Sequence, residues 1–248
     1  NFYNQMLVKL PMNRKIHLEN GTEIHFKSLE ARLNINNLAF VVSSPIDVSN
    51  IHLAMEGFGE TSVPIHEQGT HTARFMPFTE EIPRKVHIQL KAVEYKSNGG
   101  FIFRIPGKKL KEALHNKIII NKRIGEAFGT TFYLKSLIPL PDKHDQVGIQ
   151  LSWQASGNNT EGRSTNLTAK NITIPNPVKG KPAELAIQTD KSHQMTIGIK
   201  KAFIKNTKQV TVIAHNLLYT IPIHDKEITV EIPHNKENHP ASDSSETR

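Results

Sequence analysis

The sequence predicts an all-β chain built as two tandem immunoglobulin-like β-sandwich domains. Three observations predict it: apolar residues recur at every second position in short runs, turn-forming residues separate those runs, and a unit of about 110 residues occurs twice. Alternation at period two places successive side chains on opposite faces of a strand, so one face is apolar and the other polar. Many short strands punctuated by Gly, Asn and Pro are the pattern of a sandwich.

In chain order the alternating runs are Ile24, Phe26; Leu38, Phe40, Val42; Ile51, Leu53; Val86, Ile88, Leu90; and Phe101, Phe103, Ile105. They continue with Ile118, Ile120; Phe132, Leu134; Val147, Ile149, Leu151, Trp153; and Ile172, Ile174. Leu185, Ile187; Met195, Ile197, Ile199; Val210, Val212; and Ile228, Val230, Ile232 complete the set. Turns fall at Asn20-Gly21, Asn98-Gly99-Gly100, Pro141-Asp142 and Gly157-Asn158-Asn159.

The internal repeat divides the chain, because self-similarity at a fixed period marks units that fold alike. Gly21 to Leu29 aligns without gaps on Gly129 to Leu137. Further matches follow in the same order: Leu38, Phe40, Val42 on Val147, Ile149, Leu151, then Val86, Ile88, Leu90 on Met195, Ile197, Ile199. Phe103-Arg104-Ile105-Pro106 matches Tyr219-Thr220-Ile221-Pro222. Strand parity is kept throughout, and a slip of one residue would turn a core face outward. The competing arrangement is one large sandwich with coincidental matches. The repeat gives a first domain over residues 1–110, a second over 111–234, and a polar tail over 235–248 expected to be disordered. A single helical turn is expected between Leu110 and His115, within a short connector that restricts interdomain motion.

Lys and Arg number 31 against 23 acids, a net charge of +8 that suits an anionic partner: nucleic acid, an envelope polymer or a membrane surface. The densest cluster, Lys108, Lys109 and Lys111 with Lys117, Lys122 and Arg123, lacks interleaved aromatics for stacking on bases, which argues against nucleic acid. The absence of cysteine excludes disulfides and thiolate metal sites. No apolar run approaches the ~20 residues that span a bilayer, and no signal peptide is visible. Since the chain opens on Asn1, the expectation is a part of a longer protein, with any membrane anchor or signal upstream.

The 13 histidines are the first candidates for metal or proton chemistry. His17, His25, His52 and His87 each sit between apolar neighbours, which points them to solvent from half-buried strands, and several could line one outer face as a zinc or pH-sensitive patch. No HExxH or closely paired motif supports such a site. Asp142-Lys143-His144-Asp145 gathers two carboxylates and an imidazole, but a calcium loop needs more oxygens, and a polar hairpin tip explains the run. Glu80-Glu81 is read as a solvated strand entrance. No nucleophile elbow, phosphate loop or dinucleotide fingerprint occurs. Trp153, the single tryptophan, has the parity of a core residue. Sequons at Asn20, Asn158, Asn166 and Asn171 are expected by chance in so Asn-rich a chain. No catalytic, cofactor-binding or metal-ligating residue is assigned, and no cofactor is implied.

Phe101 to Pro106, Lys117 to Lys122, Gly129 to Leu137, and the strand, Pro-Ile-Asp turn and strand over Leu38 to Leu53 together carry a resemblance. They resemble the extracytoplasmic tandem immunoglobulin-like domains of unknown function in anti-sigma-factor-like membrane proteins of low-GC Gram-positive bacteria. The resemblance implies a non-enzymatic region outside the cell membrane, preceded by one transmembrane helix, that senses an envelope ligand or protein partner. The alternative is a cell-wall-binding or adhesion module of an exported bacterial protein. No functional residues come with the family.

Overall fold

The computed structural model describes residues 5–79, 81–143, 145–175, 186–205 and 207–233. The tail from residue 235, Glu80 and His144, on which sequence expectations fell, lie outside the described residues. The chain is mostly β, in antiparallel sheets packed as sandwiches around two hydrophobic cores.

The first lobe opens with strands β1 (Met6–His17) and β2 (Glu23–Arg32), a hairpin whose turn holds Gly21 at φ 89°. There follow β3 (Asn36–Ser43), β4 (Val48–Met55), β5 (Gly59–Pro64), β6 (Thr70–Phe75) and β7 (Lys85–Lys96). One sheet runs in the order β1-β2-β3-β6, and the facing sheet contains β7-β4-β5. Between them Phe26, Leu29, Leu38, Phe40, Ile51, Leu53 and Ile88 are fully buried. Each such side chain stabilises the fold by roughly 1.5–3 kcal/mol relative to exposure. Phe26 and Leu29 both face inward although three residues apart, because the β2–β3 ladder steps between Phe26 and Ser28 and leaves Lys27 exposed. A comparable step in β7 lets Leu90 and Val93 share one face.

The second lobe contains β8 (Phe101–Pro106), α1 (Gly107–Ala113), β9 (Ile118–Ala127), β10 (Thr130–Pro139) and β11 (Gln146–Ala155). The short β12 (Ser164–Thr165), which joins the first lobe's β7-β4-β5 sheet rather than a sheet of the second, a 3-10 turn at Ala169–Asn171, and β13 (Ile172–Thr173) come next. Then follow β14 (Ala186–Lys191), β15 (Gln194–Lys200), α2 (Lys201–Lys205) and β16 (Gln209–Ala214). Its sheets run β14-β15-β11-β10-β9 and β13-β16-β8, burying Phe132, Leu137, Ile149, Ile197 and Val212. The β10–β11 ladder steps between Leu134 and Ser136, at the positions that align with Phe26 and Ser28. The helix expected at Leu110–His115 is α1, which begins three residues earlier and inserts Leu110 and Ala113 into the second core.

The last strands, β17 (Leu218–Pro222) and β18 (Glu227–Glu231), both pair with β7 of the first lobe. Conversely β8, expected in the first domain, pairs with β16 and packs in the second core through Phe103 and Ile105. Strand pairing therefore runs across the expected division at residue 110, and the cores are not laid out as residues 1–110 followed by 111–234. Phe103–Pro106 and Tyr219–Pro222, matched in sequence, are the two segments that lie in each other's half. The matched Val86–Leu90 and Met195–Ile199 are placed differently: β15 borders β11, whereas β7 lies in the sheet opposite β3, whose neighbour is β6.

The outcome is one antiparallel ribbon through both lobes. Lys85 faces Glu231, Gln89 faces Glu227, Ala92 faces Pro222, Lys96 faces Leu218, Phe101 faces Ala214 and Pro106 faces Gln209. At ~3.3 Å per residue, Lys85 to Pro106 would reach at most roughly 70 Å if fully extended. Both strands cross the waist at one level, through Ser97–Gly100 and His215–Leu217, where Ser97 N–H donates to Leu217 O at 3.1 Å. Gly100 is required there. A Cβ on it would overlap the Ala214 carbonyl, 2.8 Å from its carbon and 3.0 Å from His215 Cα.

Candidate functional site

An aromatic stack and a hydrogen-bond network gather at the waist. The Tyr219 ring stacks on Phe128 at 4.3 Å and 10°, and on Tyr95 at 5.4 Å and 27°. Phe128, at φ 46° in the β9–β10 turn, packs against both cores. The Tyr95 hydroxyl meets Asn20 Nδ2 and Thr22 Oγ1 at 2.8 Å each, and Thr22 bonds Ser44 at 2.9 Å, tying the β1–β2 turn to the ribbon. Arg163 lies over the Tyr219 ring at 5.9 Å and is paired with Glu161. Burial raises the Tyr219 pKa above its ordinary value, opposed by Arg163. The loop carrying Arg163 is fixed by Asn159, whose Nδ2 donates to Arg163 O at 2.6 Å and whose Oδ1 accepts from Arg163 N at 3.1 Å.

Two open grooves flank this stack. One, of about 250 Å³, is lined by Glu126, Gly129, Ser156, Asn158 and Arg163. The other, of about 620 Å³ at the waist end of the first lobe, is lined by Val42, Ile46, Val48 and Ile65 with Asp47, His66, Glu67 and Lys96. Both are suited to a partner lying across the surface rather than a small molecule enclosed by it.

The histidines singled out by sequence lie on two sheets, not one face. His17 and His25 are on β1 and β2; His52 and His87 are on β4 and β7, across the core. His17 Nδ1 pairs with Glu23 at 3.0 Å, His25 Nε2 with Asn13 Oδ1 at 2.8 Å, and His87 Nδ1 with Thr229 Oγ1 at 3.0 Å. Among the described residues no three His, Asp or Glu side chains gather as metal ligands. Trp153 is buried, as its parity predicts, and its Nε1 donates to Asn166 Oδ1 at 3.2 Å. Of the sequon asparagines, Asn171 is buried with Nδ2 donating to His215 O and Asn216 O. Asp142 and Asp145 are exposed in the β10–β11 loop, next to α2 through a Lys201 N–H bond to Asp145 O.

The lysine cluster divides. Lys108, Lys109 and Lys111 are exposed on α1, at the pole of the second lobe, while Lys122 and Arg123 lie along the β9 edge, where Arg123 pairs with Glu126. Sequence reading missed that Lys201, Lys205 and Lys208 join the α1 lysines, because α2 packs beside α1 and Lys208 O accepts from Gly107 N at 2.8 Å. The two segments lie almost a hundred residues apart, and only the β8–β16 pairing brings them together. Among the described residues no helix is long and apolar enough to cross a membrane. Comparison with protein-family models, curated proteins and solved structures gives no match.

Proposed function

We propose that this chain is a non-enzymatic binding and sensing module, the extracytoplasmic region of a membrane-anchored, anti-sigma-factor-like protein of the bacterial envelope. The observation that supports this reading is the ribbon from Lys85–Pro106 and Gln209–Glu231, which joins two sandwich lobes beside the Tyr95, Tyr219 and Phe128 stack. A partner bound across the waist grooves changes the balance of lobe arrangements in proportion to its preference for one of them, which is all that sensing requires physically. The two-stranded crossing passes a bend in one lobe directly to the other. The ladder steps at Phe26–Ser28 and Leu134–Ser136 support treating the lobes as related immunoglobulin-like units with exchanged strands.

The test is the membrane topology of the whole protein. Fractionation and protease protection of intact cells are expected to place residues 1–248 outside the membrane, attached through one preceding helix. A protein recovered from the cytosol and protected from added protease would sink the proposal. Recovery with the wall fraction and no membrane attachment would favour the adhesion reading instead.

A further inference from the structure

We propose that the lysine-rich pole of the second lobe binds a linear envelope polymer whose negative charge is carried by phosphodiesters. The inference rests on the binding-module reading and adds to it a surface and a ligand class. Lys108, Lys109 and Lys111 on α1 and Lys201, Lys205 and Lys208 on and after α2 are all exposed at one end of the molecule. Their helices are held by buried neighbours, Leu110, Ala113 and Ile204, each at 0% exposure, so the charges project from a fixed base. Gly107 locks the pair together, since a side chain there would overlap Thr207 O. The adjoining loop adds Lys143 beside Asp142 and Asp145, and α1 contributes Glu112, so six clustered lysines face few acids. None of those six makes a salt bridge among the described residues.

The chemistry of the patch selects the ligand. Every cation in it is a lysine, a compact hydrated point charge that binds phosphate oxygens without the bidentate geometry a guanidinium fork demands, which suits singly charged phosphodiesters spaced along a flexible chain. Arg104, exposed on β8, precedes α1 by three residues and is not on either helix. Single-stranded nucleic acid is disfavoured because the patch has no exposed aromatic ring on which bases could stack; Phe203, its one aromatic, is half-buried against the second core. The position is also telling. Residue 5 and residue 233 both lie at the far end of the first lobe, where Met6 faces Arg32 and Glu231 faces Lys85, so the lysine pole is at the opposite end of the ribbon.

The test uses the 248-residue chain and purified poly(glycerol phosphate) carrying a fluorescent label, with binding followed by anisotropy over a salt series. By analogy with flexible polyphosphates, where each contact contributes about 0.7 to the slope, six contacts predict a log–log salt slope of about −4. The variant K108Q/K109Q/K201Q/K205Q is expected to lose affinity about tenfold or more and to flatten the slope to about −1.4, two contacts' worth. K27Q/K85Q/K91Q/K226Q removes the same charge from exposed positions of the first lobe and is expected to stay within about twofold of the parent chain. Single reversals Lys109→Glu and Lys205→Glu repeat the comparison should the quadruple change perturb the helices. Equal losses in both quadruple variants, no binding at the lowest salt, or equal or tighter binding of double-stranded DNA would each overturn the proposal. Membrane topology is read separately, so the two readings fail independently.

Discussion

Replacing Gly100 with alanine tests the through-going ribbon where its two strands approach closely between the lobes. The added Cβ would sit 2.8 Å from the Ala214 carbonyl carbon and 3.0 Å from His215 Cα, with the carbonyl oxygen nearer still. These are backbone atoms, so no side-chain rotation relieves the overlap. The crossing strands must separate by about an ångström or more, which disturbs the Phe101–Ala214 pairing and the Leu217 N–H bond to Gly99 O. Overpacking of this kind costs about 3 kcal/mol, at the upper end of the usual range because backbone must give. For a chain of this size that corresponds to a fall in Tm of roughly 6–12 °C. Gly157→Ala is the control: nothing lies within 4 Å of its Cβ position, and its φ is not positive. It should be neutral or stabilise by up to about 0.5 kcal/mol. Urea unfolding followed by Trp153 fluorescence and by circular dichroism reports on the second lobe and on both lobes together. A Gly100→Ala midpoint matching that of Gly157→Ala would refute the close crossing. Separate transitions in the parent chain would refute the coupling of the lobes.

Two further outcomes follow from the geometry. Tyr95→Phe keeps the stack on Tyr219 but removes the hydroxyl that meets Asn20 and Thr22 at 2.8 Å each, and should cost about 1–2 kcal/mol in urea unfolding; no loss would mean that the buried network adds nothing to stability. His25 has its pKa lowered from 6.5 by desolvation, with Lys27 and Lys15 adding to the effect and Glu23 opposing it. The unfolded chain therefore takes up this proton first as pH falls. His25 contributes stability that is present above its unfolded value and lost below it, and His25→Gln should flatten the stability profile in the window just under 6.5. A profile unchanged by the substitution would show that His25 does not titrate differently on folding.

Alternation made most strands legible because each has one buried face: Leu38 and Phe40, and Val147, Ile149, Leu151 and Trp153, are examples of buried inward positions. Strands without that contrast were not seen. β1 buries only Ile16 fully, and β5 and β6, Gly-Glu-Thr-Ser-Val-Pro and Thr-His-Thr-Ala-Arg-Phe, are mostly polar edge segments. The strand exchange was illegible for a different reason. Periodicity says which side chains face a core but not which backbone a strand bonds to. Phe103–Pro106 and Tyr219–Pro222 share an Ile-Pro ending and the same parity, so sequence gives no basis for choosing between their two placements. The lysine pole was half visible, since its α1 lysines form a run, but its α2 half depends on a pairing that only the fold reveals.

The crossed ribbon also sets the order in which the chain can become native as it is made. The first core lacks β17 and β18 until residues beyond Leu218 are available, and Arg14 Nη1 finds its acceptor, Thr229 O, 215 residues downstream. Contacts of that sequence separation are slow to close and leave β7 with unpaired backbone in the interval. An amino-terminal fragment ending near residue 110 would carry β8 without β16 and β7 without β17 or β18. Such a fragment exposes two strand edges built to accept a partner, so truncation should yield aggregation or exchange between copies rather than a working half.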